Sequence, residues 1–220
     1  MPVNLFEGRE LLCVRGERAV FGGLDFALNA GGALLLTGRN GSGKSSLLRL
    51  MAGLLKPAGG SVSWDGKAIG EDPERFRAEL RYLGHLDAVK PALSVAENLA
   101  AFAGLRGLGA AAVEAALDRL GLAPLEALPA RLLSAGQKRR LALARLLLGE
   151  SRLWLLDEPT VGLDSGAIER LESIVVEQRA LGGAVVVATH QALALPGANE
   201  IALDDFALKA KPPFSWGGPT

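Results

Sequence analysis

One glycine-rich segment, residues 38–45, constrains the fold of this chain more than any other feature. It reads Gly-Arg-Asn-Gly-Ser-Gly-Lys-Ser and so fits the pattern Gly-x4-Gly-Lys-Ser/Thr. An apolar run typical of a buried strand, Ala33–Thr37, precedes it, and the helical spacing of Ser45–Leu55 follows it. In that context the glycines let successive backbone N–H groups converge on phosphate oxygens, and the helix start adds the positive end of its dipole. The sequence therefore predicts a nucleotide-phosphate site between a strand and a helix.

The side chains of this segment have separate expected tasks. Lys44 would neutralise charge on the β- and γ-phosphates, and the hydroxyl of Ser45 would be a ligand of Mg²⁺. The candidate nucleotide-binding residues here are Gly38, Asn40, Gly41, Ser42, Gly43, Lys44, Ser45 and Ser46.

Composition excludes several classes of protein. The 220 residues carry 24 Lys and Arg against 24 Asp and Glu, which argues against binding to nucleic acid through bulk charge. The single cysteine, Cys13, cannot form an intrachain disulfide and suits a reducing cytoplasm. The N-terminal residues lack the pattern of a signal peptide. The uncharged stretch Ala180–Asn199 is long enough to span a bilayer, but its Gly, Pro and polar residues favour a buried strand with flanking loops. We therefore expect a soluble chain that reaches a membrane only through a partner.

The pattern along the chain predicts an α/β core interrupted by a helical insert, within a single domain over 1–211. The core would cover about 1–85 and 145–211, the insert about 86–144, and 212–220 would be a flexible tail rich in Pro and Gly. The strands are predicted at Glu10–Arg15, Val20–Leu28, Ala33–Thr37, Ser61–Trp64, Lys67–Ile69, Leu153–Leu156, Ala184–Ala188 and Ile201–Leu203. The helices are predicted at Ser45–Leu55, Val95–Leu105, Ala110–Leu120, Ala135–Leu148 and Gly166–Leu181, with helical character from about Pro73 to Gly149.

A second motif narrows the class of nucleotide-binding protein. The apolar run Leu153–Leu156 ends in the two carboxylates Asp157 and Glu158. Asp157 would hold Mg²⁺ through its water shell, and Glu158 would orient and polarise the attacking water. Two acids at a strand end are common on the surface of proteins, but Pro159-Thr160 and Gly162-Leu-Asp164 follow at once and favour the functional interpretation. The chain has no Asn-Lys-x-Asp string, which counts against a GTPase.

The segment Leu133-Ser-Ala-Gly-Gln137 decides among the remaining classes. Ser134 stands where a helix N-cap is expected, so this is a second helix start suited to an anion. At this point the chain resembles the ATP-binding-cassette family, whose signature is usually Leu-Ser-Gly-Gly-Gln, and the ordered motifs cover nearly the whole chain. The resemblance implies a P-loop, RecA-like core with an antiparallel β subdomain and an inserted helical subdomain.

The same resemblance implies that two cassettes pair head to tail around ATP and Mg²⁺. Ser134, Gly136 and Gln137 would then contact the γ-phosphate bound by the second cassette. His190, at the end of the predicted strand Ala184–Ala188, matches the switch histidine that contacts the γ-phosphate, although alone it would more often be an ordinary strand-end histidine. The catalytic candidates are thus Glu158, His190 and Lys44.

Three consecutive basic residues, Lys138-Arg139-Arg140, invite a comparison with nucleic-acid binders. With a neutral overall charge, they are better interpreted as a solvated face of the signature helix. We expect no nucleic-acid partner.

Three positions depart from the usual cassette. Arg15 falls where an aromatic normally stacks on adenine; its guanidinium plane can stack on a purine, or it can be an ordinary surface arginine. His85 stands where a glutamine that contacts Mg²⁺ is normal, and an imidazole can accept from a water or ligate the metal. The metal candidates are therefore Ser45, His85 and Asp157. Third, Gln191 follows the switch histidine where Asp is common.

With these three departures, the chain resembles the ATP-binding subunits of the cytochrome c maturation system, also called the haem export system. The matching strings are residues 10–18, Gly84-His85, Leu133–Gln137 and Thr189-His-Gln191. The resemblance implies transport-coupled ATP hydrolysis in haem handling. Two alternatives stay open: another importer or exporter cassette, and a soluble cassette that acts on ribosomes or DNA.

The resemblance also implies partners and a location. It implies a homodimer of cassettes docked peripherally on integral-membrane subunits, at the cytoplasmic face of the inner membrane. The transmission contact is expected on residues 86–99, where Val89, Pro91, Ala92 and Leu93 could meet a membrane subunit or be buried within the insert. We expect no direct haem binding, because no Cys-x-x-Cys-His string exists and both histidines are assigned to the nucleotide site.

Overall fold

An antiparallel sheet forms the first layer of the protein. The structure is a computed structural model and describes residues 4–191 and 193–208. The four strands lie in the order β2-β1-β4-β5. Their bounds are β1 Phe6–Arg15, β2 Arg18–Leu28, β4 Gly59–Trp64 and β5 Lys67–Ala68. β1 begins four residues before its predicted start, because irregular pairing around Glu10 (φ 48°) keeps the strand in the sheet on both sides of a bulge.

A parallel sheet forms the second layer and positions the site. Its five strands lie in the order β6-β7-β8-β3-β9. Their bounds are β3 Ala33–Thr37, β6 Leu80–Leu83, β7 Leu153–Asp157, β8 Ala184–Ala188 and β9 Asn199–Ala202. Every residue of β7 and β8 is buried, as expected for strands covered on both faces. The prediction that 184–188 is a buried strand is confirmed.

Helices cover the parallel sheet and form the segment between β6 and β7. Their bounds are α1 Lys44–Met51, α2 Pro73–Glu79, α3 Val95–Gly104, α4 Ala110–Arg119, α5 Ala135–Ala144 and α6 Ser165–Ala180. Shorter 3₁₀ turns lie at Ala123–Leu125, Ala130–Leu132, Arg145–Leu147 and Leu203–Phe206. Within the residues that the structure describes, no helix has the length and apolar character needed to cross a membrane.

Two predicted features of the helical region are wrong in detail. Helical character was expected from Pro73 onward, yet Leu80–Leu83 is strand β6, paired in parallel with β7. The four residues Leu-Arg-Tyr-Leu carry too little periodicity to distinguish a strand from a helix, and the pairing with the buried strand β7 decides it. The helix expected over Ala135–Leu148 ends at Ala144 and tightens into a 3₁₀ turn. The predicted tail 212–220 lies outside the described residues.

Alternate residues of one strand serve two separate cores. Leu153 and Leu155 of β7 pack toward the antiparallel sheet and α1, whereas Trp154 and Leu156 pack toward the helical layer. Because alternate side chains of β7 point to opposite faces of the sheet, this strand packs against both layers. The carboxyl ends of the parallel strands lie together at one edge of the sheet.

Candidate functional site

A cleft of about 590 Å³ opens at the edge where the parallel strands end. The residues that follow strands β3, β6, β7 and β8 line this cleft. The carboxyl ends of the strands are the usual place for a ligand in a parallel α/β sheet. Its walls are formed by Val20, Asn40, Gly41, Gly43, Lys44, Ser45, Ser46, His85, Asp157, Glu158, Val161 and His190. The structure thus brings together most of the site residues predicted from the sequence. Val20 and Val161 were not singled out, since an isolated valine carries no chemical signal.

The loop between β3 and α1 has a backbone that only glycine accommodates easily. Gly38, Gly41 and Gly43 have φ angles of 131°, 81° and 110°, all in the left-handed region. A Cβ on Gly43 would also lie 2.8 Å from Cγ1 of Val20. Lys44 is buried, and its Nζ donates hydrogen bonds to the carbonyls of Gly38 (2.6 Å) and Arg39 (3.2 Å). The loop therefore encircles the lysine ammonium at the start of α1.

An aspartate far away in the sequence fixes this loop. Oδ2 of Asp204 accepts a hydrogen bond from the backbone N–H of Arg39 (3.0 Å), and its Oδ1 pairs with the Arg39 guanidinium at 3.2 Å. The backbone donor first, and then the guanidinium, lower the pKa of the Asp204 carboxyl below its ordinary value of 3.8. Sequence reasoning missed Asp204, because 165 residues separate it from Arg39 and no motif contains it.

Replacing Asp204 by Asn should loosen the phosphate loop without unfolding the protein. The anchor requires the ionised carboxylate, so it is complete above pH 3.8 and is lost only as the pH falls through the lowered pKa. At neutral pH we expect Asp204→Asn to weaken nucleotide affinity by about 2- to 10-fold, the effect of one or two charge-assisted hydrogen bonds at an exposed site. Titration with a fluorescent ATP analogue measures this, and Asp205→Asn is the matched control. Equal affinities for the two variants would exclude the anchor.

Two carboxylates and a histidine face the cleft at the ends of β7 and β8. Asp157 is almost completely buried, with 1% of its surface exposed. Oε1 of Glu158 lies 2.9 Å from Nδ1 of His190, and the backbone N–H of His190 points to Oε2 of Glu158 at 3.3 Å. Because a carboxylate only accepts, the Nδ1 of His190 carries the proton of this contact. The imidazole and the carboxylate thereby fix each other's orientation.

The backbone of Glu158 is unusual for its residue type. Its φ angle is 50°, in the left-handed region that a non-glycine residue enters at a cost of about 1–3 kcal/mol. Its N–H donates to the carbonyl of Ala188 at 2.7 Å, which ties the strained position to the end of β8. Neighbouring strands therefore hold the acid in place.

The donor set of the cleft fits a nucleotide phosphate with a divalent cation. Among the described residues, Oδ2 of Asp157 in the cleft wall is buried without a hydrogen-bond partner from the protein, and so is Oγ of Ser42 in the phosphate loop. A buried carboxylate oxygen without a donor suits a hard cation, and the loop with Lys44 suits an anion beside it. Ser45 and His85 line the same cleft. These residues could hold Mg²⁺ between them.

Arg15 is a predicted binding residue that does not line the cleft, as are Gly38 and Ser42 of the phosphate loop. It is exposed at the end of β1, opposite Arg18 in the strand pairing, and it is not among the residues of the cleft wall. Stacking of Arg15 on adenine stays a prediction.

The signature segment forms the start of α5 and lies outside the wall of this chain's own cleft. Ser134 is its N-cap: its Oγ accepts from the N–H of Gln137 (3.2 Å), and Oε1 of Gln137 accepts from the N–H of Ser134 (2.8 Å). The predicted N-cap is confirmed. A Cβ on Gly136 would lie only 2.5 Å from the carbonyl oxygen of Gly162, so the helix start packs directly on the backbone that follows Glu158.

The interpretation of residues 138–140 as a solvated face is wrong for Arg139. Its exposed fraction is 4%, and its Nη1 forms an ion pair with Oδ1 of Asp87 at 2.8 Å. Three neighbouring positions on a helix point in different directions, and the one directed inward cannot be recognised from charge alone. Asp87, which lies 52 residues earlier, supplies the counter-charge that makes this burial possible.

Comparisons with known proteins agree with this geometry. A family model described as ABC transporter matches residues 21–161. The chain is 56% identical over 217 residues to the cytochrome c biogenesis ATP-binding export protein CcmA of Paramagnetospirillum magneticum, covering 97% of this chain and 100% of that one. It is 57% identical to the protein of the same name from Rhodospirillum rubrum, covering 92% and 87%. The fold is similar to that of a putative ABC transporter ATP-binding protein of Pyrococcus furiosus, with a TM-score of 0.80, 24% identity and coverage of 92% and 99%.

Proposed function

The chain belongs to the ABC transporter family, and from this premise we propose that it is the ATP-hydrolysing subunit of a membrane complex that handles haem in the maturation of c-type cytochromes. The protein is an ABC-type ATPase with the fold of a nucleotide-binding cassette. The haem-related role is supported by the names of the relatives, whose sequences align with nearly the whole of this chain. The hydrolytic role is supported above all by one observation, the contact of 2.9 Å between Glu158 and His190 beside Asp157.

Binding of ATP would use the loop at residues 38–46. Its backbone N–H groups and the Lys44 ammonium would surround the β- and γ-phosphates. Ser45, Asp157 and His85 would hold Mg²⁺, which when bound neutralises charge on the phosphate oxygens. The orphaned oxygen Oδ2 of Asp157 supports this assignment.

Hydrolysis would use Glu158 as the group that orients water. The water oxygen would bond to the γ-phosphorus while the carboxylate of Glu158 accepts a proton from that water. The bond from the γ-phosphorus to the bridging oxygen of the β-phosphate would break at the same time, and ADP would leave with that oxygen. His190 keeps Glu158 in place through its Nδ1–H, and its Nε2 would donate to an oxygen of the γ-phosphate when that nitrogen also carries a hydrogen, as in the imidazolium. The left-handed backbone of Glu158 aims its side chain into the cleft wall.

A second copy would complete each site. Ser134, Gly136 and Gln137 do not belong to the wall of this chain's own cleft. At the start of a capped helix they suit the γ-phosphate held by the other cassette in a head-to-tail homodimer.

The segment 86–99 would meet the integral-membrane partner. Leu86 is 82% exposed and Leu93 is 36% exposed, and Pro91 and Ala92 lie between them at the surface. Val89 is half-buried and packs within the helical layer. An exposed apolar string directly after His85 links such a partner to the nucleotide site. The protein would then be peripheral, at the cytoplasmic face of the inner membrane.

A pull-down from detergent-solubilised membranes tests the proposal. We expect the tagged chain to retain integral-membrane proteins, and we expect Leu86→Glu to lower their yield because a charge would face an apolar surface. Leu181→Glu is the matched control, since Leu181 is equally exposed (86%) but precedes β8 at the opposite end of the sheet. Retention of ribosomes or DNA in place of membrane proteins would contradict the proposal.

A further inference from the structure

Arg139 lies at the junction of three segments with separate tasks. It belongs to α5, whose first turn carries Ser134–Gln137. Its guanidinium reaches the turn after β6, where Gly84 and Asp87 flank His85, and the end of β7, where Asp157 and Glu158 stand. One side chain therefore touches the helix of the signature, the turn that leads to the exposed Leu86 and the segment that carries the catalytic acid.

The guanidinium uses all of its nitrogens in these contacts. Nη2 donates to the carbonyls of Asp157 (2.6 Å) and Glu158 (2.8 Å), and Nε donates weakly to the carbonyl of Pro159 (3.4 Å). Nη1 donates to the carbonyl of Gly84 (3.2 Å) and to Oδ1 of Asp87 (2.8 Å). A planar fork with five N–H groups fits five acceptors in fixed directions, which a lysine ammonium with three donors cannot do.

These bonds bear on the orientation of Glu158. The two carbonyls that Nη2 holds are those on either side of the left-handed position of Glu158. A strained backbone persists only where its surroundings over-determine it, and Arg139 supplies the donors on this side, opposite the bond from the Glu158 N–H to Ala188. Movement of the guanidinium would therefore rotate the carboxylate of Glu158 relative to the cleft.

The other end of Arg139 is held by the turn that precedes the exposed apolar string. Asp87 is the carboxylate in contact with the guanidinium. Arg145, which directly follows α5, donates from Nη2 to the backbone carbonyl of Asp87. Burial lowers the pKa of Arg145, while Asp87 raises it and Arg139 lowers it further. Arg139 in the middle of α5 and Arg145 directly after it thus both hold Asp87, so a displacement of the turn is transmitted to Arg139.

We propose that Arg139 is a positioning residue that couples the turn at residues 84–87 to the orientation of Glu158. The inference rests on the proposed function, because it concerns the same hydrolysis. A partner that moves the turn acts through Asp87 on the guanidinium, and the guanidinium acts on the backbone at 157–158. Arg139 itself touches no substrate.

The experiment measures ATP hydrolysis by the full chain in complex with the membrane proteins that it retains. We expect Arg139→Lys to lower kcat by about 10- to 100-fold, the range for a misplaced catalytic group, with the KM for ATP within about twofold of wild type. Arg140→Lys is the matched control, since Arg140 donates to the carbonyls of Leu120 and Gly121 in the helical insert. Asp87→Asn should lower kcat in the same direction, and its effect should be less than additive with that of Arg139→Lys.

Chemical rescue separates positioning from a merely structural role. In Arg139→Ala, tens of millimolar methylguanidinium should restore kcat at least about threefold, whereas urea should not, because only the cation replaces the lost donors and charge. If Arg139→Ala does not fold, Arg139→Lys and Asp87→Asn decide the matter. A wild-type kcat in both Arg139→Lys and Asp87→Asn would overturn the inference. So would a loss of kcat that is fully explained by a lowered melting temperature of the variant. In that case a wild-type complex that hydrolyses ATP leaves the proposed function standing, whereas a wild-type complex without hydrolysis rejects the proposed function itself.

Discussion

Replacing Glu158 by Gln should lower the kcat of ATP hydrolysis by about 10²- to 10⁴-fold, the usual contribution of a positioned general base. An amide keeps the size of the side chain but cannot take up the proton of the attacking water. Nucleotide affinity should stay within about twofold of wild type, because the phosphate loop and Lys44 are unchanged. The bound ATP should then hold a closed pair of cassettes. Single-turnover hydrolysis, with gel filtration in ATP, measures both results.

The control for this variant is Glu169→Gln, an exposed acid on α6 that lies away from the cleft. It should hydrolyse ATP at the wild-type rate. Turnover of Glu158→Gln at more than a tenth of that rate would remove Glu158 from the proposed role, and the contact with His190 would then be structural only.

Replacing Lys44 by Ala should weaken nucleotide binding about 10- to 100-fold. Lys44 is 7% exposed, and its ammonium lies inside the phosphate loop at the wall of the cleft. Loss of a charge-assisted hydrogen bond with phosphate is worth about 1.5–3 kcal/mol, which raises the Kd about 10- to 100-fold. The loop also loses the bonds from Nζ to Gly38 and Arg39, which adds disorder to the loss of charge. Calorimetric titration of ATP measures the Kd.

Lys56→Ala is the matched control, because Lys56 follows α1 at the surface and does not line the cleft. It should bind ATP like the wild type. Tight binding of ATP by Lys44→Ala would contradict the placement of the phosphates at this loop. A comparable loss in both variants would point to the general charge of the protein in place of a local contact of Lys44.

Features that depend on short, contiguous patterns could be predicted from the sequence. The turn at Asp65-Gly66 is followed by β5 as expected, and both of its residues have positive φ angles. The cap at Ser134 is present, and the continuous apolar run at 184–188 forms a fully buried strand. In each case the local chemistry of the residues and the packing of the fold favour the same structure.

Features that depend on distant partners could not be predicted. Arg139 is identical in type to its neighbour Arg140. Only its contacts with Asp87 and with the end of β7 show that Arg139 is the buried one of the two. Asp204 is meaningful only because β9 places it beside the phosphate loop. Strand β6 is too short to be recognised from its own residues, and only its pairing with β7 identifies it as a strand. In each case the missing information is the tertiary neighbour.

The contact between Gly136 and Gly162 has a consequence for timing in a paired assembly. Two stretches of backbone pack here without any side chain between them, so a shift of either stretch toward the other pushes directly on its backbone. In the proposed pair, one stretch would open the helix offered to the second nucleotide, and the other would continue from Glu158, the acid proposed to serve the first. In such a pair a movement at one nucleotide would press on the segment that serves the other, and a pair with one impaired site should slow at both.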